Sequence, residues 1–320
     1  MPKRLTIKDI ARLSGTGKST VSRVLNQQGD VHPETRKRIE AVINEYQFTP
    51  SRPARSMRVK ESRVIGIIMA RLDSAAENQA VSAMLPLLYR HGYDVLILES
   101  RFSTDKVTEH LTVLKQREVD GAILFSFTGL TAGMIAGWEP HMVLMVHPCD
   151  GFSSVCYDDA GAVQMLADHL FQQGHRRISY LGVNQSDKTT GEDRYLAYLT
   201  ACKRLSLTPH ASLGTLEYHS GYTLAGEVCG EGITAVICAT DSLALGVYKY
   251  LGEHPAQQIT VAAIGNTPLL GFLFPAVITL EFGYANAGEL AARQLLAHLA
   301  HSAPARTYLL NGQLNTEIAG

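Results

Sequence analysis

The run Gly15-Thr16-Gly17-Lys18-Ser19-Thr20 combines residue types that could hold a phosphate. Gly-Lys-Ser resembles the close of the motif G-x-x-x-x-G-K-[ST], in which backbone N–H groups and a lysine converge on a nucleotide. The first glycine of that motif would fall at position 12, which is arginine. The loop should also follow a strand and open a helix. The preceding residues, "LTIKDIARLSG", place Ile7, Ile10, Ala11 and Leu13 at helical spacing, with Thr6 as the N-cap. A sugar kinase built on this loop is therefore a weak alternative. The twelve histidines show no helix-spaced ligand pair with a third partner, and no activated nucleophile or carboxylate pair sits in a motif setting. The expectation is a protein that is not an enzyme, with no metal and no cofactor.

Charge suggests another use for the same segment. Residues 1–60 carry 13 Lys and Arg against 5 Asp and Glu, whereas the remainder carries 16 against 25. A basic start on an acidic body points to a polyanionic partner for the start alone. The opening "MPKRLTIKDI" has no apolar signal region, and no apolar run is long enough for a bilayer, so a cytoplasmic protein without a membrane partner is expected. Cys149, Cys156, Cys202, Cys229 and Cys238 are odd in number and lack C-x-x-C spacing, which suits a reducing compartment. A chain of 320 residues is long for one core, so more than one domain is expected.

"TIKDIARLSGTGKSTVSRVLNQ" reads as two short helices around a turn at Gly15. The first spans about Thr6 to Leu13, and the second about Lys18 to Leu25 with Val21, Val24 and Leu25 inward. A third begins near Pro33-Glu34, with Ile39, Val42, Ile43 and Tyr46 as its stripe. Lys18, Ser19, Ser22 and Arg23 then lie on the outer face of the second helix. Such a helix fits a DNA major groove, where arginine reads guanine. Thr20 and Ser22 suit phosphate contact and helix solvation about equally. Downstream, Pro50 and Pro53 mark a polar stretch in which Arg52, Arg55 and Arg58 lie close together, which reads from composition as a flexible basic linker.

"TIKDIARLSG…STVSRVLN" resembles the helix-turn-helix of the lac repressor family over most of the first 60 residues. The resemblance implies specificity residues at Lys18 and Ser19 and a base-reading arginine at Arg23. Thr6, Thr20 and Ser22 complete the implied contact set of that helix pair. It also implies a hinge helix over the basic linker, with Arg52 and Arg55 near the phosphates and Met57 as the apolar wedge in the minor groove, where the family usually carries leucine. The family binds near-palindromic operator DNA as a homodimer. After the last strand-like run, "TYLLNGQLN", five residues remain without an apolar heptad, so a dimer rather than a tetramer is expected.

From Val64 onward, apolar runs such as "VIGIIMA", "DVLILES", "GAILFSF", "MVLMVH", "RISYLGV", "TAVICAT" and "VAAIG" alternate with amphipathic helical runs. This predicts parallel sheets covered on both faces. The units are too many for one small sheet. The fold class expected is α/β, as two doubly wound lobes preceded by a small all-α domain. The lobe boundary lies around 150–160, with further crossings near Pro275 and beyond. The domains expected are 1–49 for DNA binding, 50–62 for the hinge and 63–320 for effector binding and dimerisation.

"DGAILFS", "SSVCYDDAGA", "GHRRISYLG", "ATDSLALG" and "AAIGNTP" resemble the sugar-binding, periplasmic-binding-protein-like core of the same family. Ligands of such folds bind beyond the carboxyl ends of the strands. The candidates there are Arg71, Asp73, Glu77, Ser126, His147, Asp187, Thr189, Thr190, Arg194, Ser242 and Tyr284. Arg71, Glu77 and Arg194 are the preferred contacts, while Asp73, Asp187 and Ser126 read equally well as solvated or structural. "ARLDS", "SDKTTG" and "GNTPLL" narrow the resemblance to a branch answering to trehalose 6-phosphate and governing trehalose uptake and use. His147 stands where that branch carries arginine, so an unphosphorylated or different disaccharide stays open. A freestanding sugar-binding protein, the third class, is opposed by the DNA-binding segment.

Overall fold

A computed structural model describes residues 5–25, 29, 31–48, 62–301 and 304–315. The chain divides into two compact units, residues 1–62 and 63–320.

In the first unit, α1 (Ile7–Leu13) starts at Thr6, which accepts from the Asp9 amide while the Asp9 carboxylate accepts from the Thr6 amide. This reciprocal box satisfies two amides that the first helical turn leaves open. Gly15 holds φ +62° in the turn, a conformation that costs a residue with Cβ but not glycine. α2 (Lys18–Leu25) then follows the helix α1 and its turn, not a strand, which removes the nucleotide-loop geometry from "GTGKST". α3 (Pro33–Glu45) opens on proline, whose missing N–H is an orphan at that position anyway. Ile10, Ala11, Val21, Val24, Ile39 and Phe48 form the small core, with Leu25, Val42 and Ile43 packed around it. Tyr46 departs from its expected inward stripe. It falls after the last turn of α3 and is exposed, and Phe48 occupies the core instead.

The second unit holds two six-stranded sheets. The first contains β1 (Val64–Met69), β2 (Asp94–Glu99), β3 (Gly121–Phe125), β4 (Met142–Val146), β5 (Ser153–Tyr157) and β11 (Thr307–Leu310), in the order β11-β5-β4-β3-β1-β2, with every pair parallel. The second contains β6 (Ile178–Val183), β7 (Ala211–Gly214), β8 (Ala235–Cys238), β9 (Thr260–Ile264), β10 (Ile278–Glu281) and β12 (Gln313–Asn315), in the order β12-β10-β9-β8-β6-β7. Only β12 runs antiparallel to its neighbour. All six residues of β1 are buried, as a continuous apolar run covered on both faces requires.

Helices α4 (Ala75–Arg90), α5 (Thr104–Gln116) and α11 (Tyr284–His301) cover the first lobe, and α6 (Asp159–Gln172), α7 (Arg194–Leu205), α8 (Tyr218–Val228), α9 (Asp241–Glu253) and α10 (Pro268–Leu273) belong to the second. α11 follows a strand of the second sheet yet packs into the first lobe, where a Cβ on Gly288 would strike the Ala80 backbone of α4. The chain therefore crosses between lobes three times, at Tyr157–Asp159, Glu281–Tyr284 and Leu310–Gln313. The Asp158 amide donates to the Leu310 carbonyl at 2.9 Å, tying the first crossing to the third.

Candidate functional site

The carboxyl ends of the strands in both lobes open onto one cleft with about 950 Å³ of unfilled space, counting its solvent-open mouth. Switch-point clefts of this kind are where open α/β sheets bind ligands.

On the first lobe, Glu77 sits in the first turn of α4 and reaches back beneath the end of β1. Its carboxylate accepts from the Ala70 amide at 2.8 Å and from the Arg71 amide at 3.2 Å. Ser74 caps the same helix by accepting from the Glu77 amide at 3.3 Å. Burial pushes the Glu77 carboxyl up to about 7, against the pull of those two amides. Arg71 lines the cleft and donates from Nε to Asp73 Oδ1 at 2.8 Å. Ser126 lines it too, but its hydroxyl is occupied by backbone: it lies 2.8 Å from the Met145 carbonyl, contacts the His147 carbonyl and accepts from the His147 amide at 3.2 Å. Val146, also in the wall, holds φ +79°, which is strained for a β-branched residue.

On the second lobe, Arg194 at the start of α7 is buried. Its Nε donates to Asp159 Oδ1 at 2.6 Å, and Nη1 donates to the Ala239 carbonyl. Burial raises the Asp159 carboxyl despite the guanidinium beside it. Arg194 keeps its charge: burial opposes it, but Asp159 together with Tyr284 and Tyr180 outweighs this and raises its pKa. Asp187 caps a π-helical turn at Lys188–Asp193, accepting from Thr190 N at 2.7 Å and Gly191 N at 3.1 Å. Asp241 caps its own neighbour, accepting from Ser242 N at 2.8 Å, and burial raises its carboxyl against a hydrogen bond from Thr267. At the crossings, Tyr157 packs against Phe282 at 5.0 Å and edge-on to Tyr284 at 5.4 Å. The Arg194 guanidinium lies 5.8 Å from the Phe282 ring centre.

The cleft thus gathers Arg71, Glu77, Ser126, Asp187, Thr189, Thr190, Arg194, Ser242 and Tyr284. Asp73 and His147 are not among its lining residues. Asp73 is turned outward as the exposed partner of Arg71, and His147 Nδ1 is 3.0 Å from the Pro148 carbonyl. Tyr157, Asp159, Asp241, Phe102 and Phe127 line the cleft without having been expected there. Asp159 and Asp241 were legible in part, because each opens a helix shortly after a strand end. Phe102 and Phe127 carried no such signal.

In the first unit, Lys18, Ser19 and Arg23 are exposed on α2, and Thr20 and Ser22 are half-buried. The Thr6 hydroxyl donates to Asp9 Oδ2 at 2.6 Å, so the cap occupies it. Arg52, Arg55 and Met57 lie outside the described residues.

A helix-turn-helix unit with an exposed basic helix and a two-lobed sensor with a polar switch-point cleft define a ligand-responsive regulator. The chain belongs to the lacI family of bacterial regulatory proteins. The description "Bacterial regulatory proteins, lacI family" matches residues 6–51, and "Periplasmic binding protein-like domain" matches residues 167–316. Over 299 residues the chain is 52% identical to the HTH-type transcriptional regulator TreR of Escherichia coli, covering 93% of this chain and 95% of that protein. The trehalose repressor from Escherichia coli superposes with a TM-score of 0.77 at 47% identity, over 79% of this chain and 99% of that one. A lac repressor dimer bound to operator superposes with a TM-score of 0.82 at 23% identity over 98% of both chains, which speaks for the fold alone. Among the described residues, no helix is long and apolar enough to cross a membrane.

Proposed function

We propose that the chain is a homodimeric repressor of trehalose uptake and utilisation genes, and that trehalose 6-phosphate in the inter-lobe cleft releases it from near-palindromic operator DNA. The observation that carries this reading is the polar, aromatic-walled cleft at the strand ends of a chain 52% identical to TreR. Arginines give bidentate donors to sugar hydroxyls or phosphate oxygens, and carboxylates accept hydroxyl protons. α2 supplies Lys18, Ser19 and Arg23 for the major groove, and residues 50–62 form the hinge between the DNA-binding and sensing domains. A ligand can lower operator affinity only by binding one lobe arrangement better than the other, so operator DNA weakens sugar binding by the same factor.

An unphosphorylated disaccharide is a second reading, with a specific observation behind it. Glu77, Asp159, Asp187 and Asp241 outnumber Arg71 and Arg194 in the lining, and Asp159 already pairs with Arg194. Calorimetry with trehalose 6-phosphate, trehalose and sucrose separates the two. The phosphate reading requires trehalose 6-phosphate to bind most tightly and to dissociate operator DNA. Tighter binding of a neutral sugar leaves a sugar-released repressor with a different effector.

A further inference from the structure

The cleft continues outward into a second chamber of different chemistry. It shares Phe102, Phe127, Asp187 and Leu216 with the inner chamber and adds Asn184 and Thr215. Arg71, Glu77, Asp159, Arg194 and Asp241 all belong to the inner chamber, and Asp187 is the one ionisable side chain in the outer lining. Phe102 and Phe127 meet edge to face, with ring centres 5.6 Å apart and planes at 84°. Phe127 is buried, but Phe102 is 40% exposed. Phe102 is also held in an unusual backbone. Arg101 and Phe102 follow each other at φ +50° and +58°, in the left-handed region that non-glycine residues seldom adopt. The turn is pinned by the Arg101 amide donating to the Ala70 carbonyl and the Ser103 amide donating to the Ser100 carbonyl, at 2.9 and 3.0 Å. Strain of this kind persists where the surroundings over-determine it, and it concentrates at ligand clamps.

We infer that the outer chamber is a second sugar subsite: Phe102, braced by Phe127, stacks on the neutral ring of a disaccharide, and Asn184 and Asp187 bond its hydroxyls. The apolar C–H face of a pyranose suits an aromatic platform, while amide and carboxylate groups read its equatorial hydroxyls. The charged inner chamber takes the other ring. This division selects a disaccharide over a monosaccharide, because one ring alone fills one chamber. The inference rests on the sugar-effector reading above, and adds Phe102, Phe127 and Asn184, which that reading does not name.

The test uses calorimetry on the full chain with trehalose 6-phosphate, trehalose, glucose 6-phosphate and glucose. Phe102→Ala weakens whichever disaccharide the unaltered protein binds by about tenfold, the worth of one lost ring contact. Any glucose 6-phosphate or glucose binding falls by less than disaccharide binding does, since Phe102 only borders the inner chamber and Arg71, Glu77, Asp159, Arg194 and Asp241 stay in place. As an independent readout, Trp138→Phe combined with Phe102→Trp places the chain's one tryptophan at the mouth, where its emission shifts when the disaccharide saturates the protein. A disaccharide affinity unchanged by Phe102→Ala, an equal loss for both classes of sugar, or constant emission at saturation overturns the subsite while leaving the effector reading intact. Failure of the unaltered protein to bind any of the sugars overturns both.

Discussion

Arg194 and Asp159, 35 positions apart in sequence, meet at 2.6 Å with only 7% of either side chain exposed. The first opens a helix of the second lobe, and the second lies where the chain first crosses into it. Removing one partner of such a pair strands the other charge in a poorly solvated place. Arg194→Met should therefore lower stability by about 3–5 kcal/mol, read from urea unfolding. Burial already raises Asp159, and the loss of Arg194 removes what opposes it. A raised carboxyl gives stability that is present at low pH and lost as pH rises, so the variant's deficit should shrink from pH 8 to pH 5. An equal deficit at both would contradict an unpaired carboxylate.

Glu77 sets a second pH dependence. Its carboxyl is raised from 4.5 to about 7 by burial. The protonated form is thus favoured in the folded chain. The associated stability is fully present below 4.5 and is lost as pH rises through about 7. Glu77→Gln keeps an acceptor for the Ala70 and Arg71 amides but removes the titration. Its thermal midpoint should change less between pH 5 and 8 than that of the unaltered protein. Parallel profiles would assign the dependence elsewhere.

The two lobes touch directly where the Lys188 amide donates to Thr128 Oγ1 at 2.7 Å. A bond of this length would be lost if the lobes moved apart. Thr128→Val keeps the shape and removes the acceptor, at a cost of about 0.5–1.5 kcal/mol to the closed arrangement. Effector affinity should fall by up to about tenfold, and small-angle scattering of the unliganded protein should show a larger radius of gyration. An unchanged radius together with unchanged affinity would show that the contact does not hold the lobes.

For the DNA-binding unit, Arg23→Ala should cost about 1–3 kcal/mol on operator DNA and relax selectivity at one base pair per half-site. Gel-shift titrations against operators altered singly at each position would show this. Equal losses on specific and random DNA would reduce Arg23 to a phosphate contact.

The sequence revealed most where one physical rule dominated. The apolar runs around Ile67, Ile123 and Val236 could only be buried parallel strands, and the helical spacing from Ile7 through Val24 left one outer face for DNA. β5 and β10 were harder to read because they are short, and Ser153, Ser154, Thr279 and Glu281 interrupt their apolar pattern. Ser153 is satisfied across the lobe: its Oγ lies 2.8 Å from His298 Nε2 and accepts from the Arg306 amide at 3.0 Å. No local pattern announces a partner 145 positions away. The cleft divided in the same manner. Glu77, Arg194 and Ser242 follow strand ends and were anticipated there. Asp73 follows a strand end too, yet faces outward, because the alternating direction of side chains in a tight turn cannot be read from position alone. Phe102 enters the mouth only through the left-handed turn before it.

The three lobe crossings also bear on how the chain is made. A ribosome delivers the first five strands of the first lobe by Tyr157, but α11, which packs on α4 and starts at Tyr284, and edge strand β11, which starts at Thr307, come much later. The first lobe therefore waits, with one face uncovered, while most of the second is synthesised. The small helical unit, whose core comes from residues between Ile10 and Phe48, is under no such constraint. The nascent protein should gain its DNA-reading part first and its sugar-sensing part last, with the unfinished lobe as the stretch most in need of a chaperone.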